Sequence, residues 1–234
     1  MQEIEKKEIK NLPLIVFAGI LSVILWRLPV AGLIFFPFTM FVTYLHEASH
    51  GLMAIITGGK LLNFQMSLDT SGVAWTSGGF RPLIISAGYL GSAFWGSLLL
   101  IAALKKGTEK KVLGALSIFF LIFTVMFARN LVSFSMGLFF CFSTFILGRL
   151  KHKTFLTFFL AFLAVQSCFQ SFNDIFTLVI LSGTGIETDA HIMSREVTHG
   201  LIPPIIFAVL WGLISSVFFI LALKFSFRIK IPGK

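Results

Sequence analysis

Long apolar runs recur from one end of this 234-residue chain to the other, and they constrain the fold more than any motif does. About 20 consecutive apolar residues cross roughly 30 Å of hydrocarbon as a helix. Inside that layer every backbone polar group must be satisfied within the segment, which favours helices. The runs fall at about 12–26, 29–57, 82–104, 112–128, 131–147, 155–181 and 201–223. The first is short for a span, and the 112–147 stretch is too long for one helix, so it divides at Arg129-Asn130. The expected fold is an all-α, multi-pass integral membrane protein of about six or seven transmembrane helices, forming one domain over 1–234. Only 12% of the residues are charged and the mean hydropathy is +0.93; soluble domains carry about a quarter charged residues. No room remains for a separate soluble domain.

A formal charge of +9 does not point to nucleic acid. The Lys and Arg residues sit in short clusters between apolar runs, where positive-inside anchoring accounts for them. Cys141 and Cys168 lie inside apolar segments without CxxC spacing and read as small packing residues. MQEIEKKEIKN before the first run lacks a small-residue cleavage site after it and reads as part of a retained anchor. Pro29 is placed to open the second helix, Pro37 to kink it, and Gly58-Gly59 to end it. Residues 60–79 break the apolar pattern: Phe64, Met66 and Leu68 alternate with Asn63, Gln65 and Ser67, and Val73 and Trp75 follow the turn-like Asp69-Thr70-Ser71-Gly72. That is a β-hairpin signature. Gly88, Ser92 and Gly96, at intervals of four, form a small-residue stripe that lets another helix approach.

Chemistry concentrates near the end of the second run, in His46-Glu47-Ala48-Ser49-His50. On a helix the i, i+4 spacing puts both imidazoles on one face, as two ligands of a tetrahedral zinc ion with Glu47 beside them as general base. Ionisable groups in mid-span cost about 2.5 to 3.5 kcal/mol each, so they require a compensating partner, and a divalent cation supplies one. Zinc enzymes usually take a third protein ligand. Counting along the helices places Asp174 at the depth of His50 and on the same membrane face, which makes it the candidate. Asp189 is the rival, in a polar stretch, 182–200, where a solvated loop acid is the plainer reading. His152, His191 and His199 read as solvent-facing. Asn173 is a candidate hydrogen-bond donor to a developing oxyanion, or a group that orients Asp174.

HEASHGLMAIITGGK, LDTSGVAWTSGG, SAGYLG, ARNL, FND and TDAHIMSREV together resemble the site-2 protease family of intramembrane zinc metallopeptidases, in its compact branch without a PDZ domain. The resemblance covers most of the chain and implies Zn2+ as cofactor, Glu47 as general base, and His46, His50 and Asp174 as ligands. It also implies that hairpin 60–79 is re-entrant beside the active site, with a strand edge that can pair with substrate. The chain departs from the family pattern at Ile175, where a glycine is expected after the aspartate.

The expected reaction is hydrolysis of peptide bonds in transmembrane or membrane-proximal segments of substrate proteins within the lipid bilayer. In that reaction zinc polarises the scissile carbonyl and acidifies water, while Glu47 moves the proton. A metal-ion or proton-coupled transporter is one rival, although the sequence has no visible internal repeat. A catalytically inactive membrane-binding relative is another, but it would not need Glu47 between intact ligands. The basic clusters put the mouth of the site outside, whereas the family resemblance opens it toward the cytosol.

Overall fold

The computed structural model describes residues 12–227 except 27, 29, 106, 182, 184 and 185. The 1–11 anchor segment, the opening of the second helix at Pro29 and the basic residues from 228 onward lie outside the described residues. Six helices are long and apolar enough to cross a membrane: α2 (Ala31–Ile56), α3 (Arg81–Leu104), α4 (Glu109–Phe127), α5 (Leu131–Arg149), α6 (Lys153–Leu181) and α8 (Pro204–Phe227). Helix α1 (Leu12–Trp26) spans only about 22 Å at 1.5 Å per residue, short of the hydrocarbon thickness. Strands β1 (Lys60–Met66) and β2 (Gly72–Ser77) form a two-stranded antiparallel hairpin. The polar stretch after α6 contains a further helix, α7 (Asp189–Thr198).

The break between α4 and α5 comes from Asn130. Ala128 turns extended after Phe127, and the Asn130 side chain accepts from the Ser133 backbone N–H at 2.9 Å. The Ser133 hydroxyl in turn accepts from the Asn130 N–H, completing a capping box. Asn130 also docks the hairpin: its Nδ2 donates to the Met66 carbonyl at 2.7 Å, and its Oδ1 accepts from the Met66 N–H at 3.4 Å. With Arg129 N–H donating to the Phe64 carbonyl, the outer edge of β1 is tied to this turn. Alternation along β1 buries Phe64 and Met66 completely. Their register with Ala74 and Gly72 follows a bulge between Leu61 and Asn63, and it leaves β2 as the free edge.

An aromatic cluster holds α2 in place. The Tyr44 ring packs edge-on against Phe64, Phe120, Phe123 and Phe140, and its hydroxyl hydrogen-bonds Thr124 at 2.7 Å. Each such ring pair contributes about 0.5 to 1.5 kcal/mol beyond burial. Tyr44 sits just before the His46 motif, so the motif is fixed against α4, α5 and the hairpin. A second cluster, of Ile85, Leu178, Ala190, Met193, Ala208 and Trp211, seats α7 among α3, α6 and α8.

Candidate metal centre

Helix α2 places His46 and His50 one turn apart, with ring centroids 4.8 Å from each other and Nε2 atoms separated by 3.1 Å. The His50 Nδ1 lies 2.7 Å from the Ile84 carbonyl. A carbonyl only accepts, so Nδ1 carries the proton there, and Nε2 is the ring nitrogen turned toward His46. Into the same spot comes the Asp189 carboxylate, 3.4 Å from His46 Nε2 and 3.3 Å from His50 Nε2. Burial acts to raise the Asp189 pKa, but the charges and hydrogen bonds of His50 and His46 hold it well below the usual carboxylate range. It stands as an anion, as a ligand must.

Three electron-pair donors thus converge within 3.1–3.4 Å of one another. Zinc bonds of about 2.0–2.1 Å at tetrahedral angles put ligand atoms about 3.3–3.4 Å apart, so this donor set fits the ion. Among the described residues, His46, His50 and Asp189 form the group that could hold a metal. Gly88 makes the cradle: a Cβ there would collide with the Nε2 atoms of both histidines. The stripe of Gly88, Ser92 and Gly96 therefore divides in use. A Cβ on Gly96 would meet α6 at Ser167, whereas Gly88 brings bare backbone up to the imidazoles.

The group lies in a cavity of about 510 Å³ that is also lined by Glu47, Asp174, Tyr89 and the hairpin residues Gly72, Ala74 and Thr76. Glu47 is 6% exposed and lines the cavity beside Ala74. Gly72 leaves room for it, since a Cβ there would sit 2.7 Å from the Glu47 Cγ. Asp174 also lines the cavity, and its Oδ1 accepts from the Gln170 amide at 2.7 Å. Asp189 is the acid set against the imidazoles. Asn173 is exposed and is not among the residues lining the cavity. His199 is exposed, and His191 pairs with the Thr188 hydroxyl.

Asp189 arrives because Asp189–Thr198 is a helix rather than a solvated loop. Ala190, Met193, Ser194 and Val197 recur at helical spacing, and Ala190, Met193 and Ser194 are buried. The helix ends at His199 and Gly200, both with positive φ. Arg81, at the start of α3, donates to the Glu196 carboxylate from Nε at 3.0 Å and from Nη2 at 2.6 Å, and reaches toward Thr76 of β2. It clamps α7 against both the hairpin and α3. Both partners are more than a third exposed, so the pair contributes at most about 1 kcal/mol. Arg81→Ala is expected to weaken metal binding by about 5-fold. Competition with a chelator measures this, and Arg81→Glu combined with Glu196→Arg should restore the affinity.

Residues 14–222 match the family model described as Peptidase M50B-like. No curated protein matches the chain, and no solved structure does.

Proposed function

We propose that this chain, which belongs to the Peptidase M50B-like family, is an intramembrane zinc metalloendopeptidase of the site-2 protease type, formed as a single membrane domain. Its substrates are peptide bonds in transmembrane or membrane-proximal segments. The observation that carries the reading is the convergence of His46, His50 and Asp189 at tetrahedral ligand spacing, with Glu47 lining the same cavity. In this assignment Asp189 takes the third-ligand role that depth, membrane face and the family resemblance had given to Asp174. Zinc, when held there, polarises the scissile carbonyl and acidifies water.

The protein's own groups do the rest. Glu47, given room by Gly72, takes the proton from the attacking water and delivers it to the leaving amine. Thr43, Ser71 and Thr188 line the cavity and give water a polar route into an otherwise apolar bundle. A transmembrane helix hides its carbonyls in its own hydrogen bonds, so substrate must unwind before attack. The outer edge of β2, facing the cavity through Gly72, Ala74 and Thr76, offers an unwound segment a strand to pair with.

Glu47→Gln tests this. The purified full chain should retain zinc while cleavage of a transmembrane model peptide falls by roughly 10²- to 10⁴-fold. Metal transport that survives the substitution, with cleavage in neither form, would establish the transporter instead.

A further inference from the structure

Tyr89 belongs to the cavity but has no part in the chemistry described so far. Its ring stands perpendicular to that of His46, with centroids 4.7 Å apart. On its other side it stacks on Trp211 at 5.3 Å and 11°. Trp211 is 2% exposed and is itself fixed by its Nε1, which donates to the Ser86 hydroxyl at 3.1 Å. The phenol is thus held between a rigid indole and a candidate metal ligand. Among the described residues, its hydroxyl has no hydrogen-bond partner. Tyr89 lines the same cavity as Asp189, Asp174 and Glu47.

Peptide hydrolysis makes a tetrahedral carbon whose former carbonyl oxygen becomes an anion, and a donor aimed at that oxygen strengthens only as the charge develops. Asn173 lies outside the cavity, whereas Tyr89 lines it. A phenol suits the place, because it donates one proton and keeps it through the cycle. Glu47 handles the mobile proton.

We propose that the Tyr89 hydroxyl is a catalytic hydrogen-bond donor to the tetrahedral oxyanion, held ready by the Trp211 stack and the His46 edge. The inference rests on the peptidase reading of the same site. Its test is Tyr89→Phe, which keeps the ring and both aromatic contacts and removes only the O–H. Zinc content, the visible spectrum of the cobalt-substituted protein and KM are expected to stay as in wild type. The turnover number should fall by roughly 10²- to 10³-fold, and affinity for a phosphinate pseudopeptide, a stable mimic of the tetrahedral species, should fall in parallel.

If turnover and phosphinate affinity both stay within about twofold of wild type, Tyr89 is packing alone. A variant that loses zinc, or alters the cobalt spectrum, would equally overturn the proposal by making Tyr89 a support for His46. A wild-type protein that neither cleaves peptide nor binds the phosphinate removes the peptidase reading, and this inference with it. Cleavage by wild type with an unaffected Tyr89→Phe variant removes only the inference.

Discussion

Gly88→Ala is expected to abolish zinc binding and all hydrolysis while leaving the helical bundle assembled. The added methyl group lands on the Nε2 atoms of His46 and His50, the two atoms that would face the ion. Neither ring can retreat freely: His50 is tied to the Ile84 carbonyl, and His46 is backed by Tyr89. Disturbing groups that merely orient metal ligands costs 10- to 100-fold in affinity, so displacing the ligand atoms themselves should cost roughly 100-fold or more. Gly114→Ala is the control, because nothing lies within 4 Å of a Cβ at that helical position. Zinc content after dialysis against a weak chelator reads both variants. A Gly88→Ala protein that keeps its full complement of zinc would show that the ion sits elsewhere.

Asp189→Asn and Asp174→Asn should behave differently. Losing the Asp189 carboxylate leaves two imidazoles and no anionic ligand, and zinc affinity should drop by roughly 100-fold or more with activity following it. Asp174→Asn keeps an acceptor for the Gln170 amide and should leave zinc content unchanged. The reverse result, metal lost with Asp174 and kept without Asp189, would return the third-ligand role to α6.

The two aspartates show what the sequence reveals about such a site. Apolar runs bounded by Gly, Pro and charged clusters mark where helices cross, because the bilayer imposes their length. The i, i+4 spacing of His46 and His50 fixes their common face, because it is local geometry. Residue counting along a helix yields depth, and Asp174 and His50 line one cavity. Counting gives no azimuth or lateral distance, and which acid touches the imidazoles depends on both. Asp189 stood only as the rival because a polar stretch reads as solvated loop, although Ala190, Met193 and Val197 already carry the spacing of a helix with one buried face. Gly88 was legible as a small residue, but close approach by a helix and close approach by an imidazole leave the same mark. Arg81 and Glu196 form a contact between distant elements that composition cannot announce.

The order of the three proposed ligands along the chain bears on how the protein is made. His46 and His50 leave the ribosome early, whereas Asp189 follows well over a hundred residues later, a lag of roughly 7 to 28 seconds at 5–20 residues per second. Throughout that interval the nascent chain carries half a cage and has no competent enzyme to turn on its neighbours in the translocation apparatus. On the peptidase reading, chain order alone thereby defers hydrolysis until Asp189 has been made and α7 has packed.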